Sequence, residues 1–282
     1  MIVDVHTHVF PPEVIADRDR YVAQDATFGL LYSDPKAKLA TADDLLHSMQ
    51  TSGIDVSVAL GFAWRDEALC RAHNDYLLDV ASRSAERIVA FPTLPLASGP
   101  DAVVTEAERC VAAGARGFGE LRPDSVGACI DGALAEALAH AAGATRPLLF
   151  HVSEPVGHTY PGKEGFALPD FYAFVAAHPE TPIIGAHWGG GLPFYALMPE
   201  VKAALANTCF DTAASSLLYG PEVYKRGVAL AAAEHIVFGS DFPLLSQSRS
   251  MRRIEDAGLD VAGLALVLGG NVARLLGLES GE

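Results

Sequence analysis

Apolar residues recur along the chain in two alternating rhythms. Short runs rich in β-branched side chains, at 2–6, 56–61, 88–94, 115–121, 147–152, 182–187, 208–213 and 235–240, predict buried strands. Between them, apolar positions three and four apart predict helices near 42–52, 67–85, 101–113, 132–143, 169–178, 194–206 and 221–232. A closing helix over 260–276 carries Gly269-Gly270-Asn271 in its second half. Strands separated by helices of this length pair in parallel through crossovers. Eight such units predict an α/β fold, a (β/α)8 TIM barrel, with residues 1–282 as one domain and the active site at the C-terminal ends of the strands.

The polar residues that terminate these runs carry the chemistry. The first strand ends in His6-Thr7-His8, whose two imidazoles fall on one side, about 7 Å apart along the strand, and can close on one divalent ion. Later runs end in His151, His187 and Asp241, and the run 115–120 ends in Glu120, placed by strand alternation on the same face as Phe118. An open doubly wound sheet would spread these ends along an edge, whereas a closed barrel brings them to one point. Each residue alone reads as a hydrogen-bonded rim group or a helix cap. Five ligand types at five strand ends predict a metal centre.

The expected ligands are His6, His8, His151 and Asp241, joined by Glu120 and His187. Three or four N/O ligands with a position left to solvent describe a catalytic ion, which acidifies bound water and polarises a substrate oxygen. Imidazoles with a carboxylate suit Zn2+, and Mn2+ or Fe2+ also fit; one ion is expected, or two if Glu120 bridges. Asp241 is placed to take a proton from the activated water, and His187 to serve as a further ligand or to polarise the substrate. Arg65, Arg122, Trp188 and the loop residues His158, Tyr160 and Lys163 are the candidate substrate contacts, because long loops on this face carry such groups. The glycines at 189–191 lack the companions of a phosphate loop and predict a tight turn with close backbone approach. His47, His73, His140, His178 and His235 read as surface or capping residues.

Composition adds limits. Half of the 282 residues are hydrophobic and the formal net charge is −15, which works against nucleic-acid and anionic-membrane partners. No apolar run is long enough to cross a bilayer, and a strand begins at residue 2 with no basic leader before it. Cys70, Cys110, Cys129 and Cys209 form no Cys-X-X-Cys pair, which predicts buried thiols in a reducing cytoplasm. The expected partner is a small-molecule substrate, and a homodimer is compatible with the sequence.

His6-Thr7-His8, Phe91-Pro92-Thr93-Leu94-Pro95-Leu96, Ala186-His187-Trp188-Gly189-Gly190-Gly191, Phe238-Gly239-Ser240-Asp241-Phe242-Pro243 and Gly270-Asn271-Val272-Ala273-Arg274-Leu275 together resemble the amidohydrolase superfamily. The resemblance runs almost end to end and is to the amidohydrolase-2 branch related to aminocarboxymuconate-semialdehyde decarboxylase. It implies that His6, His8, His151 and Asp241 match zinc ligands, and that His187 matches a histidine assisting water or substrate activation. Glu120 departs from the decarboxylase pattern and looks like the metal-bridging position of TatD-type hydrolases, and the chain is shorter than typical decarboxylases of the branch. The expectation is a metal-dependent hydrolase of an amide, lactone or ester-like bond in a small molecule. The alternative is a metal-dependent nonoxidative decarboxylase of a small unsaturated carboxylic acid. A nucleic-acid phosphoesterase and a metal-binding barrel without turnover rank below both.

Overall fold

A computed structural model describes residues 1–278. Eight strands run parallel: β1 (Val3–His8), β2 (Val56–Leu60), β3 (Ile88–Phe91), β4 (Phe118–Leu121), β5 (Leu148–Phe150), β6 (Ile183–Gly185), β7 (Thr208–Asp211) and β8 (Ile236–Val237). Ladders join β1-β2-β3 and β4-β5-β6-β7-β8. Isolated backbone hydrogen bonds span both gaps. Val5 N donates to Phe238 O at 2.9 Å and Asp241 N to His6 O at 2.9 Å, while Arg116 N donates to Ala90 O at 3.3 Å and Gly119 N to Pro92 O at 3.0 Å. The strands therefore meet at both seams as a barrel, with the main helices outside.

The apolar residues sort into layers as a barrel requires. Val3, Val5, Val58, Leu60, Phe91, Leu149, Ile184 and Val237 pack together inside. Phe118, Phe150, Ile183, Phe210 and Phe238 belong to the layer between strands and helices.

Alternation is broken at two places. From Asp4 to Thr7 of β1 is three residues, against two from Ser57 to Ala59 of β2. From Phe118 to Leu121 of β4 is again three, against two from Leu148 to Phe150 of β5. An extra residue reverses the face of every side chain after it. Val3 and Val5 face inward, so a regular β1 would turn His6 and His8 outward; the irregularity turns them in. The same device corrects the expectation that Glu120 shares a face with Phe118. Phe118 lies in the outer layer, while Glu120 enters the barrel mouth.

Residues 9–41, for which the apolar pattern predicts no element, form three short helices: Pro12–Ala16, Arg18–Gln24 and Ala26–Tyr32. Each is too short to show a helical period, and an aromatic cluster holds them. Phe28 stacks on Trp64 with centroids 5.0 Å apart, and Phe10 stacks on His73 at 5.1 Å. His73 is thus buried, contrary to its surface assignment. Its Nε2 faces Val9 O at 2.8 Å, and its Nδ1 accepts from Trp64 Nε1 at 3.1 Å. A further helix, Gln247–Glu255, also lies outside the predicted set.

The helix expected over 194–206 shortens to Pro199–Ala204: a tighter 3-10 stretch runs to Tyr195 and Met198 is extended, with ψ of 119°. Before them His187, Trp188 and the three following glycines all take positive φ. A Cβ on Gly189 would lie 2.6 Å from the Phe210 ring and one on Gly190 2.7 Å from Ser153 O, so the turn allows close backbone approach. The closing helix runs through a π turn at Leu266–Gly270, where a Cβ on Gly269 would meet Met1 O at 2.3 Å. All four cysteines are free; Cys70 and Cys110 are buried, but Cys129 is exposed, against expectation. Among the described residues no helix is long and apolar enough to cross a membrane.

Candidate metal centre

The C-terminal ends of the strands open into a cavity of about 450 Å³. His8, Glu120, His151, His187 and Asp241 line it, and His6 lies beneath them, fully buried. His6 Nε2 is 3.1 Å from His8 Nε2, 3.7 Å from Asp241 Oδ1 and 3.8 Å from Glu120 Oε1. Glu120 Oε1 is also 2.7 Å from His151 Nδ1 and 3.4 Å from His187 Nε2. Donor atoms of His6, His8 and Asp241 lie within 4.8 Å of one another, as do those of His6, Glu120 and His187. His187 and Asp241 hold left-handed backbone, with φ of 57° and 66°. Such residues cost about 1–3 kcal/mol each and persist where the surroundings fix them.

Asp211, which the sequence reading missed, orders this set from behind. Its Oδ2 accepts from His6 Nδ1 at 2.7 Å, leaving the Nε2 lone pair of His6 directed into the centre. Its Oδ1 accepts the backbone N–H groups of His187 and Ala213 at 2.8 and 3.0 Å. The missing signal was its place: Cys209-Phe210-Asp211 also ends a strand, but one without a histidine.

The donor chemistry fits a divalent cation. Burial disfavours a charged His6, yet Asp211, Asp241 and Glu120 outweigh it and raise its pKa to about 10, so positive charge is favoured there. Burial holds His8 down to about 4 and His151 to about 3, the latter helped by Arg122, which keeps both rings neutral as ligands must be. His151 Nδ1 cannot both donate to Glu120 Oε1 at 2.7 Å and accept from Arg122 at 3.1 Å. A cation shared by these acceptor atoms removes the conflict. His8 Nδ1 is buried without a partner, as one more polar atom left over by the protein alone.

The candidate substrate contacts divide. His158 and Tyr160 line the cavity, together with apolar groups of Leu31, Tyr32, Phe62, Leu217, Leu218 and Leu244. Trp188 does not reach it: the ring is fully buried, gives Nε1–H to Ser215 Oγ at 2.7 Å and packs on Tyr224. Arg65 is tied to Ser125 O and Asp25 outside the cavity lining. Lys163 folds back on the carbonyls of Val156 and His158 within its own loop. Arg122 lines the cavity, but its N–H groups are taken by protein acceptors. Tyr32 and Lys38, which also line it, come from the unpredicted insertion.

Solved structures share this fold. A 2,6-dihydroxybenzoate decarboxylase from Rhizobium superposes with a TM-score of 0.72 at 17% identity, over 98% of each chain. A 5-carboxyvanillate decarboxylase from Sphingomonas paucimobilis gives 0.76 at 14%, also over 98% of each. A dihydroxybenzoic acid decarboxylase from Polaromonas, with bound manganese and the inhibitor 2-nitroresorcinol, gives 0.72 at 17%, over 98% of this chain and 97% of that one. Coverage this complete removes length as a mark separating the chain from such decarboxylases. No curated protein matches it. The amidohydrolase family profile matches residues 3–278, nearly the whole barrel, and the chain belongs to that amidohydrolase family.

Proposed function

We propose that this protein is a metal-dependent nonoxidative decarboxylase of a small unsaturated or aromatic carboxylic acid. One observation carries the reading: the His/Asp/Glu centre forms the floor of a cavity whose walls are Leu31, Tyr32, Phe62, Leu217, Leu218 and Leu244. Predominantly apolar walls suit a conjugated ring, with Lys38, His158 and Tyr160 as polar groups among them. The decarboxylases with the same barrel support it further, and hydrolysis, the first expectation from the sequence, ranks below it.

His6, His8, His151 and Asp241 would hold the ion, with Glu120 beside it. A divalent ion there supplies a Lewis acid for a substrate oxygen. The Polaromonas structure makes manganese as good a candidate as zinc. Decarboxylation breaks the bond between the ring carbon and the carboxylate; carbon dioxide leaves, and the electron pair left on carbon takes up a proton. His187 would deliver that proton: its Nδ1 faces Ala213 O at 3.2 Å and its Nε2 faces the centre, 3.4 Å from Glu120 Oε1. The apolar walls exclude water from the carbanionic carbon.

Glu120 favours the second reading, hydrolysis, since a carboxylate 3.8–3.9 Å from both His6 and His8 can serve as a bridging or water-orienting group. The test is a panel of hydroxybenzoic acids, including 2,6-dihydroxybenzoate, alongside lactones and amides, given to protein loaded with Mn2+ or Zn2+. Carbon dioxide release from an acid supports the proposal. Turnover confined to lactones or amides overturns it.

A further inference from the structure

Arg122 follows β4 and is almost fully buried. A guanidinium has five N–H groups in a rigid plane, and here each points at a polar atom. Nε points to Ser125 Oγ at 3.3 Å. Nη1 reaches Glu120 Oε2 at 3.4 Å and His151 Nδ1 at 3.1 Å. Nη2 reaches the carbonyl oxygens of Gly162 at 2.5 Å and Glu164 at 3.1 Å. Ser125 completes the link by donating to Glu164 O at 2.5 Å. One edge of the fork therefore holds two residues of the metal centre, and the other holds the loop after β5.

That loop, residues 153–165, has little else to dock it. Lys163 binds only carbonyls within the loop, and Pro155 through Thr159 are exposed. Its far end is tied by Asp124 N to Gly165 O at 2.8 Å. Gly162 packs so tightly on the insertion that a Cβ there would fall 2.4 Å from Leu31 Cδ2. The loop contributes His158, Tyr160, Pro161 and Gly162 to the cavity wall, so its docked position defines the cavity.

We propose that Arg122 is a positioning residue coupling the metal centre to this loop. With the ion held, Glu120 is fixed, Arg122 is fixed on it through Nη1, and the loop carbonyls find their donors, closing the loop over the cavity. The coupling rests on the metal reading but not on the reaction assigned above. Being thermodynamic, it is reciprocal: whatever factor the ion adds to loop docking, docking adds to ion affinity.

Amide hydrogen–deuterium exchange over 153–165, with and without Mn2+, tests it in three proteins whose metal content is measured in parallel. In the wild type, Mn2+ should slow exchange in the loop roughly tenfold. Arg122→Lys keeps the charge but offers a point donor that cannot span centre and loop; it should still bind Mn2+ and lose most of the ion-dependent protection. Gly162→Ala touches no ligand, yet by displacing the loop from Leu31 it should weaken Mn2+ affinity several-fold. If Arg122→Lys does not fold, Ser125→Ala, which removes one acceptor and one tie to Glu164, should show an intermediate loss. Full protection in the variants, or none in a wild type that binds Mn2+, overturns the coupling. A wild type that binds neither Mn2+ nor Zn2+ overturns the metal reading and the coupling with it.

Discussion

Nδ1 of His6 lies 2.7 Å from Oδ2 of Asp211, and both side chains are fully buried. The same carboxylate receives the backbone N–H of His187, so one residue at the end of β7 sets the tautomer of one candidate ligand and the position of the proposed proton donor. Carboxylate–imidazole pairs of this kind orient ligands and raise their basicity.

Asp211→Asn should expose that dependence. An amide can donate to Nδ1, which would move the imidazole proton to Nε2, where the ion should bind. Metal affinity, measured by competition with a chelator, is expected to fall roughly 10- to 100-fold with the fold intact. Wild-type affinity in the variant would mean that His6 is not a ligand.

Glu120→Gln separates a ligand from a rim carboxylate. Glu120 is 3.4 Å from the Arg122 guanidinium, and although burial opposes its charge, Arg122 and the hydrogen bonds of His151 and His187 hold its pKa well below the usual range, so it is ionised. Removing that charge should weaken metal binding by about tenfold or more, since few anionic donors remain. Elemental analysis after dialysis reads the loss. Unchanged metal content and unchanged turnover would leave Glu120 a structural partner of Arg122.

Much of this centre was legible because its residues sit where apolar runs stop. His6, His8, His151, His187 and Asp241 could be grouped from four strand ends and a closed barrel alone. Their facing was not legible. Plain alternation gives the right pairing of His6 with His8, but it pairs Glu120 with Phe118, because the extra residue in β4 leaves no mark in composition. Trp188 is a candidate substrate contact by sequence, but with positive φ at both His187 and Trp188 the indole lies in the core. The insertion at 9–41 stayed hidden since its helices, five to seven residues each, are held by aromatic packing and not by their own periodicity.

That packing gives a stability prediction. Phe28 is fully buried and contacts Phe10, Tyr32, Phe62 and Trp64. Phe28→Ala should cost about 3–5 kcal/mol, the usual range for an aromatic deleted from a core. Chemical denaturation reads it, and because Tyr32 and Lys38 belong to the same insertion, substrate affinity should fall as well. A loss under 1 kcal/mol would mean that the insertion packs loosely.

His73 should add a pH-dependent term to stability. Burial lowers its pKa to about 4 from the ordinary 6.5. Between those values the unfolded chain binds a proton that the folded chain does not, so stability rises with pH from about 4 to 6.5 and this contribution is flat above. His73→Gln, which can still accept from Trp64 and donate to Val9, should lessen the slope in that window. An identical slope in the variant would place the titration elsewhere.

The central claim is that an acid loses carbon dioxide at this centre and that solvent supplies only a proton. It is tested most directly by turnover in deuterated, ¹⁸O-enriched water, using an acid that the Mn2+-loaded protein consumes. The account predicts carbon dioxide stoichiometric with product, one solvent deuterium on the carbon that carried the carboxylate, and no ¹⁸O in the organic product beyond a no-enzyme control. Product carrying ¹⁸O in a new hydroxyl or carboxyl group, with no carbon dioxide released, would contradict it.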